Sequence, residues 1–423
     1  FANKEGENPQ KVYSTILISV ATTSSLFFLL VVAFLPQISG AMGYGDHPSY
    51  IWVMALTVAI DAFQCIPFAY LRQSKRPMKF AALKMLFIVL NILLNIIYFI
   101  VMPALYQTNP DIIDMVYNPE VGAGYAFYIN LACTATITLF FWRELTGFRY
   151  VFDRQLLKRM LSYSWPILVL GIAGILNQTA DKILFPYIYK GDDAHEQLGI
   201  YGAASKIAMI MAMITQAFRY AYEPFVFGKA KDKDNRDTYA KAMKYFIIFT
   251  LLAFLMVVGY IDILKCIIGR DYWSGLRVVP IVMAAEIMMG VYFNLSFWYK
   301  LIDKTFWGAW FSGIGCLVLV SINILMVPRY GYMACAWAGF AGYATAMTVS
   351  YLVGQKKYPI NYPLGEITLY VAIAIVMFAA MQYSNSHLNT LAALTVNSLL
   401  ITAFAAIIIY KDFKTIIINR LKK

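Results

Sequence analysis

Residues 80–102 read FAALKMLFIVLNILLNIIYFIVM and contain one charged side chain, Lys84. A run of this length can cross the hydrocarbon core of a bilayer, because an α-helix needs about 20 consecutive apolar residues to do so. Similar runs recur along the whole chain of 423 residues, which is 61% hydrophobic and only 14% charged. Soluble domains are roughly 25% charged. The sequence therefore predicts an integral membrane protein.

The apolar runs favour helices over a membrane barrel. They do not alternate apolar and polar residues with the period of two that barrel strands show, and only helices and closed barrels satisfy the backbone in lipid. We therefore predict an all-α integral membrane fold. The twelve predicted spans cover about residues 12–35, 49–70, 80–102, 121–142, 161–186, 199–222, 241–264, 277–299, 306–327, 332–353, 363–383 and 389–410.

Basic residues indicate how the spans are oriented. If residues 1–11 and every second connection after them lie on one side, that side carries 27 of the 35 Lys and Arg residues, and the opposite side carries five. An excess of Lys and Arg in short loops marks the cytoplasmic side. We therefore expect both visible ends of the chain in the cytoplasm. The net charge of +12 then needs no nucleic-acid partner to explain it.

The connections between spans leave no room for a separate catalytic domain, since each is shorter than roughly 20 residues. The five cysteines are scattered and form no CxxC pair, which argues against a disulfide framework and a zinc site. We therefore expect no metal, no cofactor and no soluble catalytic domain. Any chemistry should take place inside the helix bundle.

Three basic residues, Lys182, Lys206 and Arg219, lie within the fifth and sixth predicted spans. An ionised group at the bilayer centre costs at least about 2.5–3.5 kcal/mol, so each one needs a partner or a wet cavity. At 100° per residue, each of these two helices carries one polar stripe about 140° wide. We expect the stripes to face a shared interior. Their other polar members are Asn177, Gln178 and Asp181 in the fifth span and Gln216, Tyr220 and Glu223 in the sixth.

A purely structural role stays open for some of these charges. Lys182 and Arg219 lie close enough to a helix end to snorkel to the membrane surface, and Glu223 is an ion-pair partner for Arg219 four residues later. Lys206 lies about seven residues, near 10 Å, from the end of its span. That depth favours a functional or paired role for Lys206.

Acidic residues within the spans are candidates for coupling transport to a proton or a sodium ion. For Asp181, a structural ion pair with Lys182 or Lys206 is as consistent with the sequence as a role in ion coupling. For Asp61 and Glu286, a hydrogen bond between helices is equally open. The candidates are Asp61, Asp181, Glu223 and Glu286.

Two stretches resemble a known group of transporters. The first is DAFQCIPFAYLRQSKRPMKFAALK (61–84), and the second is GIYGAASKIAMIMAMITQAFRYAYEPFVF (199–227), preceded by NQTADKILF (177–185). They resemble the polysaccharide-transporter branch of the multidrug/oligosaccharidyl-lipid/polysaccharide exporter superfamily, the O-antigen flippase-like proteins. The similarity covers essentially the whole chain. The order GIYG…K…QAFR…EPF is its most specific part.

This resemblance implies a fold of fourteen helices, arranged as two six-helix lobes and two C-terminal helices. The twelve predicted spans then correspond to all of these helices except the first two. It divides the chain into 1–150, a partial N-terminal lobe, 151–357, a six-helix C-terminal lobe, and 358–423, two further helices and a basic tail. Members of the group line a central cavity with basic residues, and Lys182, Lys206 and Arg219 occupy matching positions. Many relatives carry Arg where this chain has Lys182, which lacks the bidentate fork of a guanidinium.

The resemblance also implies a function in surface polysaccharide biosynthesis, as for O antigen or exopolysaccharide. The protein would flip an undecaprenyl-pyrophosphate-linked oligosaccharide from the cytoplasmic to the periplasmic leaflet of the bacterial inner membrane. Its partners would be that lipid-linked substrate, membrane lipids, and the glycan polymerase and glycosyltransferases of the same pathway.

Two other functions stay open at this point. A multidrug or ion antiporter of the same superfamily would favour a cavity dominated by carboxylates, whereas this chain places three basic residues in its spans. A membrane glycan polymerase or acyltransferase would need a catalytic histidine near the membrane or a large outer loop, and the sequence has neither. We therefore expect a transporter and no enzyme.

Overall fold

The computed structural model describes residues 8–74, 76–108, 114, 116–146, 149–228, 236–301, 304 and 306–421. Within these ranges the chain forms helices and connections and contains no strand, so the predicted all-α fold is confirmed. The α-helices are α1 Pro9–Ala33, α2 Leu35–Ala41, α3 Pro48–Gln73, α4 Pro77–Ile96, α5 Met102–Thr108, α6 Tyr125–Leu139, α7 Trp142–Leu145, α8 Arg154–Ile188, α9 Ala194–Gly228, α10 Arg236–Gly259, α11 Ile261–Leu264, α12 Val279–Leu295, α13 Phe297–Leu301, α14 Phe306–Tyr330, α15 Tyr332–Lys357, α16 Leu364–His387 and α17 Thr390–Leu421. The 3-10 helices are Pro119–Gly124, Lys265–Ile267 and Arg270–Val278, and a π-helical turn, Ile97–Val101, joins α4 to α5.

Nine helical stretches in the described part of the chain are long and apolar enough to cross a membrane, which makes this a multi-pass membrane protein. Each stretch coincides with a predicted span. They are Pro9–Ala33, Pro48–Gln73, Pro77–Thr108, Ala194–Arg219, Arg236–Gly259, Arg270–Lys300, Phe306–Tyr330, Leu364–His387 and Thr390–Lys411. The other predicted spans, 121–142, 161–186 and 332–353, coincide with helices α6, α8 and α15.

The chain divides into two compact units, Phe1–Pro166 and Ile167–Lys423, and the division falls inside α8. The lobes expected at 1–150, 151–357 and 358–423 stay a prediction. The ion-coupling candidate Asp61 belongs to the first unit. All three basic candidates belong to the second.

The first unit has a buried carboxylate that joins separate helices. The side chain of Glu144 in α7 is 2% exposed, and its Oε2 accepts from Lys79 Nζ at 2.6 Å. The hydroxyl of Tyr13 donates to the backbone carbonyl of Glu144 at 2.9 Å. These bonds hold α1, α4 and α7 together at one end of the unit, beside the apolar contacts of Phe68 with Phe141.

The second unit has one large apolar core that includes side chains of α9, α10 and α12. Two of its other helices, α14 and α15, approach so closely that their backbones nearly touch. A Cβ atom added to Gly315 would lie 2.8 Å from the carbonyl oxygen of Gly342, and one added to Gly342 would lie 2.9 Å from that of Gly315. Small residues permit this kind of close helix packing in membranes.

Candidate substrate and ion-coupling site

Asp181 lies near the end of α8 with its side chain almost fully buried, at 7% exposure. Tyr201 of α9 donates a hydrogen bond from its hydroxyl to Asp181 Oδ2 at 2.6 Å. The second oxygen, Oδ1, is buried and has no hydrogen-bond partner among the described residues. Since buried polar atoms are nearly always paired, this half-satisfied carboxylate is unusual.

Lys182 shares this region with two carboxylates. Its ammonium lies 5.9 Å from the centroid of the Tyr201 ring, and its charge acts on both Asp181 and Glu286. Glu286 comes from α12, and its Oε2 is likewise buried without a hydrogen-bond partner in the part of the chain that the structure describes. One lysine therefore serves two carboxyl groups that lie on different helices. We call Asp181, Lys182, Tyr201 and Glu286 the carboxylate cluster.

Arg219 does not belong to the carboxylate cluster. It lies 13 residues after Lys206 in α9, which corresponds to about 20 Å along the helix. Its guanidinium carbon is 5.0 Å from the centroid of the Phe293 ring. Arg219 and Lys300 line the same small pocket. The other lining residues are Thr215, Phe218, Tyr222, Phe246, Gly290, Phe293, Asn294 and Phe297. The pocket therefore contains two cations, Arg219 and Lys300, and its wall is largely aromatic.

Lys206 lies between these two places along α9, and its side chain is exposed. Gln178 is also exposed, and Gln216 is half-buried. The side chains of Asn177 and Glu223 lie outside the described residues. The described contacts thus assign Lys182 to the carboxylate cluster and Arg219 to the pocket with Lys300. Lys206 belongs to neither group, and its side chain is exposed.

Asp61, the candidate in the first unit, is exposed on α3. Its carboxyl lies beside Thr134 of α6 and interacts with the charge of Lys84. Gln64, one turn later, donates to the backbone oxygen of Thr134 and to Thr138 Oγ1, both at 2.7 Å. The hydrogen bonds between α3 and α6 therefore come from Gln64, and Asp61 stands next to them.

Sequence reasoning did not identify two residues of these sites, Lys300 and Tyr201. Lys300 counted only as a charge of a basic connection, because sequence does not show how deep a side chain at a helix end lies. Tyr201 is the tyrosine of the GIYG stretch at 199–202, but it was not singled out, since tyrosine is abundant in this chain, with 31 copies. The aromatic run FWY at 297–299, directly before Lys300, was the only hint of a pocket wall.

Comparison with known proteins settles the family. The profile of a family described as polysaccharide biosynthesis protein matches residues 3–276. The chain belongs to this family. A search of curated sequences finds no match.

Several solved structures of membrane transporters have a similar fold. The lipid II flippase MurJ in an inward closed conformation has a TM-score of 0.70 at 15% identity, over 97% of this chain and 86% of that one. A multidrug resistance MATE family transporter in an inward-facing conformation has a TM-score of 0.58 at 17% identity, over 82% and 80%. The Vibrio cholerae MATE transporter VcmN in its bent form has a TM-score of 0.53 at 12% identity, over 82% and 78%. The chain thus has the all-α fold of these transporters.

Proposed function

We propose that the protein moves an undecaprenyl-pyrophosphate-linked oligosaccharide from the cytoplasmic to the periplasmic leaflet of the bacterial cytoplasmic membrane. Membership in a polysaccharide biosynthesis family supports a glycan-bearing substrate. The fold shared with the lipid II flippase MurJ supports a lipid-linked one. The observation that carries the proposal is the placement of basic groups on three helices of the second unit, with Arg219 of α9 and Lys300 of α13 in one pocket, Lys206 further along α9, and Lys182 on α8.

The pyrophosphate is the part of such a lipid that cannot cross hydrocarbon alone. Burying its charges without partners is prohibitive, whereas Lys and Arg replace its hydration with charge-assisted hydrogen bonds. The polyprenyl tail can stay in the bilayer throughout. Cations on α8, α9 and α13 would give the pyrophosphate successive partners during transport.

Lys182 interacts electrostatically with two carboxylates, Asp181 and Glu286. In this proposal, the pyrophosphate competes with the two carboxylates for Lys182. A buried carboxylate that loses its cation must take up a proton or bind another cation. Substrate and coupling ion are therefore linked through Lys182, and Asp181 and Glu286 are the coupling groups. Asp61 and Glu223 are further candidates for this role.

Orientation follows the basic residues of the connections, which we place in the cytoplasm. Arg219 and Lys300 are then the inner cations, where the lipid-linked substrate arrives from the cytoplasmic glycosyltransferases. Lys182 is the outer one, from which the substrate passes to a glycan polymerase. Surface polysaccharides such as O antigen or exopolysaccharide are the expected end products.

Transport in proteoliposomes tests this function. The purified protein should move undecaprenyl-pyrophosphate-linked oligosaccharide across the bilayer and should not transport a cationic dye such as ethidium. The multidrug alternative draws on the two buried carboxylates of the carboxylate cluster. Ethidium transport without lipid transport would contradict the proposal in favour of that alternative.

A further inference from the structure

Four tyrosines lie in contact at one end of the first unit. The rings of Tyr117 and Tyr125 are stacked at 5.3 Å between centroids, with 13° between their planes. Tyr98 contacts Tyr125 at 4.9 Å, and Tyr106 meets Tyr117 edge-on at 5.9 Å. We call these four residues the tyrosine platform. The rings come from the π-helical turn, α5, the following connection and α6, so the fold brings them together from four separate segments.

The platform is not part of the buried core, because each of its tyrosines keeps part of its surface accessible. Hydrogen bonds nevertheless fix its position. The backbone N–H of Asn118 donates to the hydroxyl of Tyr125 at 2.6 Å, and the Asn118 side chain accepts from the backbone N–H of Glu120 at 2.9 Å. Rings that are held in place and partly exposed in this way are available to contact a ligand.

Tyr98 reaches the platform from the five-residue π-helical turn, Ile97–Val101. A π-turn is rare, costs regular hydrogen bonding and is found frequently at functional sites. Here it changes the direction of the helix surface between α4 and α5, where Tyr98 meets Tyr125. The irregular turn is therefore a second observation that points to the same place.

The charge around the platform excludes a phosphate group as its ligand. The stretch between Lys84 and Arg143 contains no Lys or Arg, and its acidic residues are Asp111, Asp114 and Glu120. Asp114, Asn118, Glu120 and Gln107 are exposed and lie close to the four tyrosines along the chain. An anion would be repelled here, whereas hydroxyl groups would find acceptors and donors.

We propose that the tyrosine platform binds the saccharide part of the transported lipid. The C–H groups on one face of a pyranose ring carry partial positive charge and suit the negative face of an aromatic ring. Its hydroxyls suit amides and carboxylates. The proposal rests on the proposed function for its substrate. It adds that the pyrophosphate and the glycan are recognised in different places, one basic and the other aromatic and acidic.

The test compares two lipids in nanodiscs, undecaprenyl pyrophosphate and the same lipid carrying the oligosaccharide repeat of the host. Tyr117→Leu keeps apolar volume but removes the ring, and Tyr117→Phe keeps the ring. The Leu variant should bind the sugar-bearing lipid about tenfold more weakly, which corresponds to about 1.4 kcal/mol. Its binding of the sugar-free lipid should not change. Tyr117→Phe should bind both lipids within about twofold of the wild type, given the modest share of a single hydroxyl.

Tyr383→Leu is the matched control, because Tyr383 is 67% exposed and stacks on His387 outside the platform. It should bind both lipids like the wild type. Tyr106→Leu, at the edge of the platform, repeats the test if Tyr117→Leu lowers the unfolding temperature. Unchanged binding of the sugar-bearing lipid in both Leu variants, or equal losses for the two lipids, would overturn the platform alone. A wild type that binds neither lipid would overturn the proposed function as well.

Discussion

At the scale of single residues, Asp181 depends on one hydrogen bond. Tyr201 donates to Oδ2, whereas Oδ1 has no such partner among the described side chains and backbone groups. An unsatisfied buried acceptor costs about 1–3 kcal/mol, and a charged one costs more. The hydroxyl of Tyr201 therefore contributes both to stability and to the position of the carboxylate beside Lys182.

Tyr201→Phe should lower the free energy of unfolding by about 1–3 kcal/mol, since it removes the donor and keeps the ring. Chemical unfolding in detergent measures the change. Tyr187→Phe is the control, because Tyr187 lies in α8 with 79% of its surface exposed. The free energy of unfolding of this variant should equal that of the wild type within experimental error. Equal losses for the two variants would show that the hydrogen bond to Asp181 contributes nothing particular.

Sequence reasoning identified Asp181 as a residue that needs a partner and named Lys182 or Lys206 for that role. Lys182 does act on it, but the hydrogen bond comes from Tyr201, which is 20 positions later. Such a contact depends on how α8 is rotated against α9. A sequence shows which face of a helix is polar and does not show which side chain of the next helix it meets.

At the scale of secondary structure elements, α14 and α15 of the second unit cross with their backbones close together. A methyl group at position 342 would lie 2.9 Å from the carbonyl oxygen of Gly315 and 3.1 Å from Cβ of Leu319. Both neighbours belong to a packed helix and cannot move by simple rotation of a side chain. Packing of these helices therefore requires glycine at the crossing.

Gly342→Ala should destabilise the protein by about 1–3 kcal/mol, the usual cost of overpacking a core. Gly339→Ala, one turn earlier in α15, is the control, because a Cβ there meets nothing within 4 Å and Ala favours helix. Thermal unfolding of the two variants in detergent gives the comparison. The interpretation fails if Gly342→Ala is as stable as Gly339→Ala.

The start of α8 gives a pH-dependent prediction. Asp153 accepts from the backbone N–H groups of Gln155 at 2.8 Å and Leu156 at 3.0 Å, and its Oδ2 lies 2.7 Å from Lys11 Nζ. The hydrogen bond from Lys11, followed by that from Leu156, lowers the pKa of Asp153 from 3.8 to about 2. Its contribution to stability is therefore complete above the ordinary pKa and is lost as the pH falls towards about 2.

We expect Asp153→Asn to be less stable than the wild type near neutral pH, and this difference should shrink from about pH 5 to about pH 2. Unfolding temperatures measured across that range provide the test. Lys11→Met should reproduce part of the effect, because it removes the ion pair and keeps the helix cap. A difference that stays constant down to about pH 2 would contradict the assignment.

Helices were the most predictable feature, because hydropathy is averaged over about 20 residues and single errors cancel. The run at 80–102 was correctly expected to be helical, but the π-helical turn Ile97–Val101 within it was not foreseen. Its residues, IYFIV, are as apolar as the turns before it. Tyr98 of this turn contacts Tyr125 of α6, and no local pattern encodes such a contact.

At the scale of the whole molecule, orientation is the first property to test. In a variant without its five native cysteines, Asp46→Cys and Asp192→Cys should react with an impermeant thiol reagent added to intact cells. Lys357→Cys should react only after the membrane is opened, since its connection belongs to the basic, cytoplasmic side. All three residues are exposed or lie in exposed connections of the structure. The reverse pattern would refute the orientation.

In the proposed function, the basic groups and the carboxylate cluster make different contributions to transport. Lys206 is exposed and would offer its charge to the substrate, so Lys206→Ala should bind and move the lipid poorly. Asp181 would offer its charge to the coupling ion. Asp181→Asn should therefore still move the lipid while losing its response to an ion gradient.

The most direct measurement is the flipping rate of undecaprenyl-pyrophosphate-linked oligosaccharide in proteoliposomes, with and without imposed proton and sodium gradients. We predict gradient-driven flipping by the wild type, gradient-independent flipping by Asp181→Asn, and at least a tenfold loss in Lys206→Ala, as expected when a desolvated charge loses a partner worth about 1.4 kcal/mol or more. Lys158→Ala, an exposed lysine in the first turns of α8, should behave like the wild type. If both Asp181→Asn and Lys206→Ala keep full gradient-driven flipping, the account of this site is wrong.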